Sequence, residues 1–228
     1  MFEKLRTYQL ASDLKGLRRH KSTALRERRK LFTIAVVDDN PFEPRSNLEN
    51  VGYRIVTVGD PSDVEVLAPH QIILCDLQGV GLAFDKRKQG AFLIQEIKKH
   101  FPDKFVVAYS GGTKNLNITR DASKISDEFL KKDTDIETWV QTLDDFIARL
   151  MDPYAVWQRQ REALVAREVD TLTILRLEDA FVRSVKSGDS STASAFQRLI
   201  GSEQLGADVR AVLRSVVASG LFKIIVGS

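Results

Sequence analysis

Five polar side chains follow short apolar runs of this sequence, and together they suit phosphoryl-transfer chemistry. Asp38 and Asp39 are adjacent carboxylates, and a third carboxylate, Asp76, follows a separate apolar run. Like charges at close range repel each other, so a hard divalent cation such as Mg2+ is the natural partner for such a group. Ser110 adds a hydroxyl group and Lys132 adds an ammonium group at the ends of two further runs.

These side chains can divide the work of phosphoryl transfer among them. One carboxylate can act as the nucleophile toward an activated phosphoryl group. A bound cation and the ammonium group neutralise phosphoryl charge, and the hydroxyl group can hydrogen-bond a phosphoryl oxygen. Each residue alone also has an ordinary explanation, since the Asp38–Asp39 pair can cap a helix and residues 110–112 can form a turn. The assignment therefore depends on the whole set.

The segment 31–150 alternates strand and helix patterns, which is typical of a parallel sheet covered on both faces. Five short apolar runs predict strands at Phe32–Val37, Arg54–Val58, Gln71–Cys75, Phe105–Tyr109 and Glu128–Lys131. Helical patterns lie at Arg45–Val51, Pro61–Leu67, Gly90–His100, Ile118–Ser126 and Ile136–Leu150. We therefore predict an α/β fold with a doubly wound five-stranded parallel sheet. The carboxyl ends of its strands would bring the five side chains into one crevice.

Charge and helix patterns divide the chain into three parts. Residues 1–30 carry ten Lys or Arg against three Asp or Glu, and their composition predicts a basic N-terminal helix. Residues 31–150, the predicted sheet domain, carry 14 basic against 19 acidic residues. Residues 151–228 are predicted to form a helical output or dimerisation region. Its predicted helices are Pro153–Lys186, Ala193–Ile200 and Ala207–Ser219, and its apolar end Leu221–Val226 is either a last strand or a buried tail.

The composition is that of an ordinary globular protein, with 43% hydrophobic and 29% charged residues among 228. No apolar run is long enough to span a bilayer. Cys75 is the single cysteine, which excludes an internal disulfide framework and fits a reducing compartment. We therefore expect a cytoplasmic protein without a membrane partner.

Four short motifs in this order resemble the receiver domain of two-component response regulators: Val-Val-Asp-Asp, Ile-Leu-Cys-Asp, Ala-Tyr-Ser-Gly and Phe-Leu-Lys-Lys. The resemblance covers roughly residues 31–150 and implies a flavodoxin-like (βα)5 fold. It also implies phosphorylation of Asp76 by a histidine kinase or phosphotransfer protein, in a signalling protein that is not a turnover enzyme. By the same resemblance, Asp39, Asp76 and the Gln78 carbonyl would ligate Mg2+ directly, and Asp38 would act through water.

The resemblance also assigns roles to residues near the other strand ends. Ser110 would sense the phosphoryl group, Lys132 would pair with it, and Phe129 lies at the family's aromatic switch position. Asp133 stands where the family has a proline. Because the strand end is uncertain by one residue, Lys131 remains an alternative for the working amine.

The connection after Asp76 is longer and more basic than the family's usual one. It runs over Leu77–Lys88, contains Asp-Lys-Arg-Lys, and lacks the usual proline near Val80. Because this loop would border the site, we expect it to affect the lifetime of the phosphoryl group or the choice of partner. A receiver-like adaptor that is never phosphorylated stays open as an alternative for the same reason.

Two basic stretches, Arg18–Lys21 and Arg26–Lys30, make a nucleic-acid partner possible, but aromatic side chains for base stacking are sparse there. The predicted helix Ala207–Ser219 offers only Arg210 and Arg214 as basic residues, which is poor for DNA recognition. We therefore favour a protein partner or a homodimer through the helical extensions over a DNA-binding regulator. An aspartyl phosphohydrolase is disfavoured, because such enzymes commonly carry an Asp-x-Asp motif at the nucleophile.

Overall fold

The computed structural model describes residues 7–17, 24–111, 116–188 and 206–226, together with Phe196, Arg198 and Ile200. The chain forms two compact units. One comprises residues 22–149, and the other combines residues 1–21 with residues 150–228. This division differs from the three consecutive parts predicted above, because the basic N-terminal segment is shared between the two units.

A single N-terminal helix over residues 1–30 is not formed. The described part contains a 3-10 helix, Ala11–Leu14, and a separate α-helix α1, Leu25–Lys30. Gly16 adopts a left-handed backbone conformation with φ of 77°, which ends the first of these helices. The basic stretch Arg18–Lys21 lies outside the described residues.

The unit of residues 22–149 contains a five-stranded parallel sheet, as predicted. Its strands are β1 Thr33–Val37, β2 Arg54–Thr57, β3 Ile72–Asp76, β4 Phe105–Ser110 and β5 Glu128–Lys131. All neighbouring pairs are parallel, in the order β2-β1-β3-β4-β5. This is the flavodoxin-like doubly wound order, so the predicted fold class is confirmed.

Helices cover both faces of the sheet. They are α2 Arg45–Asn50, α3 Gly90–His100, α4 Leu116–Ile125 and α5 Ile136–Leu150. The segment predicted as a short helix at Pro61–Leu67 forms only a 3-10 turn, Val64–Leu67, which Asp63 caps by accepting a hydrogen bond from the Glu65 amide. The strands β3 and β4 are buried along their whole length, whereas three of the four residues of the edge strand β2 are exposed. Burial on both faces explains the continuous apolar runs of β3 and β4.

The two faces of the sheet have different cores. Aliphatic side chains of α3 and α4 pack on one face, against residues such as Ala35, Ile73 and Val106. On the other face the core is aromatic, with Phe105 stacked on Phe146 at a centroid distance of 4.4 Å. Side chains therefore fill both sides, which holds the strand ends in register.

An ion pair attaches α1 to this unit. The Arg29 guanidinium donates two hydrogen bonds to the Asp144 carboxylate of α5, at 2.8 and 2.6 Å. It also lies 4.8 Å from the centre of the Tyr53 ring, and the Tyr53 hydroxyl donates to Asp144 at 2.7 Å. Arg29 is buried, so this basic residue of α1 contributes to packing within the unit and not to an exposed basic surface.

The helical unit contains α6 Pro153–Val165, α7 Thr171–Ser187, α8 Ala207–Ala218 and α9 Leu221–Val226. The long helix predicted over residues 153–186 is two helices, because Glu168 adopts a positive φ of 57° and Asp170 then caps α7. The apolar end forms helix α9, in which Leu221 and Phe222 are buried, so it is a buried tail and not a strand.

The predicted helix at residues 193–200 lies mostly outside the described residues. Among the described helices, none is both long and apolar enough to cross a membrane.

Four aromatic side chains form the centre of this helical unit. Trp157 stacks on Phe181 at 5.2 Å, and Phe196 stacks on Phe222 at 5.0 Å. Gln160 lies three residues after Trp157 on α6 and is only 2% exposed. Neither polar atom of its side chain has a hydrogen-bond partner in the described part of the chain. A buried amide without partners destabilises the folded state.

We predict that Gln160→Leu raises the free energy of unfolding by about 1–2 kcal/mol, because it replaces an unpaired buried amide with an apolar group of similar size. Chemical denaturation followed by circular dichroism measures the change. Gln158→Leu on the same helix is the matched control, since Gln158 is partly exposed and its replacement should leave stability nearly unchanged. Equal effects of the two substitutions would contradict the prediction.

A buried lysine closes the amino-terminal edge of the sheet. The Lys104 side chain is fully buried and donates hydrogen bonds to the carbonyls of Ala68 and His70, at 2.7 and 2.6 Å. Burial lowers its pKa from 10.5 to about 8. Between these two values the unfolded chain binds a proton that the folded chain lacks, so this group makes stability rise as pH increases.

We predict that the stability of the wild-type protein, relative to Lys104→Met, increases by about 2 kcal/mol between pH 7 and pH 9.5. Comparing the two proteins removes the contributions of the other titrating groups. Denaturation curves at several pH values give the difference. A difference that stays constant with pH would show that Lys104 titrates normally in the folded state.

Candidate functional site

Three carboxylates converge at the carboxyl edge of the sheet, as the sequence predicts. Asp38 and Asp39 follow β1, Asp76 ends β3, and one oxygen of each lies within 4.8 Å of the others. Asp38 is 3% exposed and Asp76 is 2% exposed, whereas Asp39 is exposed to solvent. Three hard oxygen ligands within such a span fit a single divalent cation such as Mg2+.

Lys132 links two of these carboxylates. Its ammonium group lies 2.6 Å from Asp76 Oδ2 and 3.0 Å from Asp38 Oδ2. Lys131, the alternative amine, is exposed on β5. The structure therefore brings Lys132 into the site. Asp133, which follows Lys132 where the resemblance would place a proline, does not prevent this contact.

The ionisation of the pair follows from its surroundings. Burial raises the pKa of Asp76, and the hydrogen bond from Lys132 offsets part of that rise. For Lys132, burial lowers the pKa, but hydrogen bonds to Asp76 and Asp38 outweigh burial and leave the pKa raised. The ammonium group thus keeps its proton beside two carboxylates.

The other oxygen of Asp76 faces the loop that follows β3. The amide of Leu77 donates to Asp76 Oδ1 at 2.7 Å, and the amide of Gln78 lies 3.4 Å from the same atom. Gln78, the predicted third metal ligand, therefore lies directly beside the carboxylate. These backbone contacts orient one oxygen of Asp76, while Lys132 holds the other.

Asp38 is held by groups from three segments of the unit. Besides Lys132, the Tyr109 hydroxyl donates to Asp38 Oδ2 at 2.8 Å, and the Asn40 amide donates to Asp38 Oδ1 at 2.9 Å. Tyr109 was not among the predicted site residues. The signal for it was a tyrosine inside a fully apolar strand, because a buried hydroxyl group needs a hydrogen-bond partner.

The loop after Asp76 passes directly against Asp39. Gly79 has a φ of 77°, and a side chain at this position would collide with the Asp39 carboxylate. The Asn40 side-chain amide donates to Asp39 Oδ1 at 2.8 Å. Asp39 is therefore confined between the loop and Asn40, although it remains open to solvent.

Ser110 is the last residue of β4, and Phe129 lies within the neighbouring strand β5. Ser110 is buried at the end of β4, and its carbonyl accepts a hydrogen bond from the Lys132 amide at 3.0 Å. Phe129 on β5 is partly buried and packs against the core of α3 and α4. Gly111 follows Ser110 beside the Lys132 side chain, and residue 112 lies outside the described residues.

The long loop over residues 77–89 has a defined shape. The Gly81 amide donates to Asp60 Oδ1 at 2.5 Å, and the Gly79 amide donates to Gln89 Oε1 at 3.2 Å. Asp85 accepts hydrogen bonds from two amides of the basic run Lys86–Lys88. The three basic side chains of this run are exposed to solvent.

A cavity of about 270 Å3 borders the site. Its wall includes Asp38 and Lys132 from the site, the apolar ring of Phe42, and the exposed carboxylates of Glu43 and Asp133. The cavity therefore shares Asp38 and Lys132 with the site, and its other two carboxylates make its wall acidic.

No protein-family model and no curated protein matches this chain. Many similar solved structures are response regulator receiver domains, which cover about half of the chain. A response regulator from Thermotoga maritima is 17% identical over 51% of this chain and 97% of its own, with a TM-score of 0.41. A CheY-like receiver protein from Methanospirillum hungatei JF-1 is 15% identical over 51% and 94%, with a TM-score of 0.41. A response regulator from Burkholderia pseudomallei, solved with a phosphorylated aspartic acid, is 19% identical over 61% and 87%, with a TM-score of 0.41.

We predict that Mg2+ raises the melting temperature of Lys132→Met more than that of the wild-type protein. The reason is that the ammonium group and the cation compete for the same two carboxylates, which repel each other once the ammonium group is removed. Thermal unfolding with and without millimolar Mg2+ measures the shift. Lys131→Met is the matched control and should respond as the wild type does. An equal shift in all three proteins would mean that Lys132 does not occupy the cation's place.

Proposed function

We propose that this protein is a phosphorylation-dependent signalling switch in which Asp76 accepts a phosphoryl group in the presence of Mg2+. The donor is a histidine kinase or a phosphotransfer protein. The observation that carries the proposal is the ammonium group of Lys132, placed between Asp38 and Asp76 at the edge where this fold binds ligands. The proposed role is switching, without steady turnover of a substrate.

The residues around Asp76 fit a divalent cation. Asp39, Asp76 and the Gln78 carbonyl would hold Mg2+ directly, and Asp38 would hold it through water. When bound, the cation supplies positive charge that screens the carboxylates from the incoming phosphoryl group. The close approach of Gly79 to Asp39 leaves the carboxylate little freedom to turn away.

Asp76 is the nucleophile in this proposal. A carboxylate oxygen forms a bond to phosphorus while the bond between phosphorus and the donor's nitrogen breaks. Burial raises the pKa of Asp76, and the hydrogen bond from Lys132 favours its ionised, nucleophilic form. The amides of Leu77 and Gln78 orient the carboxylate before the reaction.

Lys132 and Ser110 convert the new charge into a change of shape. The Lys132 ammonium would leave Asp38 and pair with a phosphoryl oxygen, and the Ser110 hydroxyl would donate to another. Ser110 ends β4 and Lys132 follows the neighbouring strand β5. Phe129 lies on β5, three residues before Lys132, and packs against the core. The expected output is a changed surface near Phe129, read by a protein partner or through self-association of the helical extensions.

We predict that acetyl phosphate with Mg2+ adds the mass of one phosphoryl group, because Asp76 is positioned as a nucleophile beside a cation site. Intact-protein mass spectrometry measures the gain. Asp76→Asn should abolish it, and Asp121→Asn, which removes an exposed carboxylate of α4, should leave it unchanged. No gain in the wild type, or the same gain in Asp76→Asn, would contradict the proposal.

The molar mass of the protein in solution, measured with and without beryllofluoride and Mg2+, tests whether the switch acts through self-association. A change in mass that requires Asp76 supports switching through self-association. Partner binding that is indifferent to Asp76→Asn would instead indicate an adaptor that is not phosphorylated. Affinity for duplex DNA that falls steeply with salt would indicate a DNA-binding regulator.

A further inference from the structure

Tyr109 reaches the site from inside the sheet. It lies on β4 opposite Asp76 in the strand register, and its side chain is fully buried. Its hydroxyl group donates a hydrogen bond to Asp38 Oδ2 at 2.8 Å. Most residues of β4 are apolar, so packing alone does not require a hydroxyl group at this position.

The position of this hydroxyl group is fixed by packing. The Tyr109 ring contacts Trp139 of α5 at 5.8 Å, nearly edge-on, and Phe42 at 5.4 Å. Phe42 and Trp139 also meet edge-on, at 5.3 Å. Three rings in mutual contact leave the tyrosine no alternative rotamer without disturbing the core. The hydroxyl group is therefore preorganised toward Asp38.

This arrangement determines which oxygen of Asp38 remains available. Asp38 Oδ2 accepts from both Tyr109 and Lys132, which fills its two lone-pair directions. Among the described residues, Asp38 Oδ1 accepts from the Asn40 amide alone, which leaves one lone-pair direction for a further donor. With its plane set in this way, the carboxylate suits an indirect role, in which Oδ1 accepts a hydrogen bond from a water molecule on the cation.

We infer that Tyr109 is a positioning residue, which holds Asp38 in the orientation that the Mg2+ site needs. The inference rests on the metal site of the proposed function and extends it to a residue outside the carboxylate cluster. Partners that orient the ligands of a metal commonly change its affinity by tenfold or more when they are removed. The hydroxyl group of Tyr109 therefore sets the Mg2+ affinity without touching the cation.

Replacing Tyr109 with phenylalanine tests this role, because Tyr109→Phe keeps the ring and removes only the hydroxyl group. The Mg2+ dissociation constant should rise about tenfold, measured by isothermal titration calorimetry. Trp139 fluorescence, followed in a Trp157→Phe background where Trp139 is the single tryptophan, gives a second readout next to the ring of residue 109.

The matched control is Tyr53→Phe. Tyr53 is also buried in this unit, and its hydroxyl group also donates to a carboxylate, that of Asp144 at 2.7 Å. Both substitutions should lower the unfolding midpoint, but only Tyr109→Phe should weaken Mg2+ binding. A dissociation constant within about twofold of the wild type in Tyr109→Phe, or an equal change in Tyr53→Phe, overturns the inference. Wild-type protein that binds no Mg2+ overturns the metal site of the proposed function as well.

Discussion

The contact of the Lys132 ammonium with Asp38 and Asp76 is the interaction on which the site depends. Two carboxylates buried at neighbouring strand ends would repel each other and lose their hydration, which is unfavourable without a compensating cation. Lys132 supplies that cation from the chain itself. Its position requires β1, β3 and β5 to end at the same edge, and the sheet's parallel register provides this. In the proposed function, the same contact would make the site responsive, because a cation or phosphoryl group entering it would change what Lys132 binds.

A lysine lies at each edge of the sheet, and the two differ in burial and in hydrogen-bond partners. At the carboxyl edge, Lys132 is half-buried and bound to the side-chain carboxylates of Asp38 and Asp76. At the amino edge, Lys104 is fully buried and bound to the backbone carbonyls of Ala68 and His70, which cannot leave. The amino edge therefore holds two loop carbonyls in place, while in the proposed function the carboxyl edge would change its contacts. The aromatic core of Tyr109, Phe42 and Trp139 connects the carboxyl edge to α5.

Much of the fold followed from local patterns. The strands were predicted within one or two residues, because strands buried on both faces need apolar, mainly β-branched side chains throughout. The helices α3 and α5 were predicted with their observed ends. The errors fell where a single backbone conformation decides the outcome. Glu168 and Gly16 interrupt helical patterns that composition alone would have continued, and the segment before β3 shortens to a 3-10 turn.

The sequence by itself determined the sheet, its strand ends, and a set at one edge that comprises Asp38, Asp39, Asp76, Ser110 and one of the adjacent residues Lys131 and Lys132. It could do so because strand ends are local features, and parallel strands bring their carboxyl ends together. Tertiary structure alone decided which of two adjacent lysines enters the site, and that Tyr109 holds Asp38. These pairings join residues 94 and 71 positions apart, so they depend on how the core packs. Packing likewise decided that Arg29 of α1 pairs with Asp144 of α5 and does not form part of an exposed basic surface. The local sequence pattern cannot predict this pairing, because the two residues are far apart in the chain.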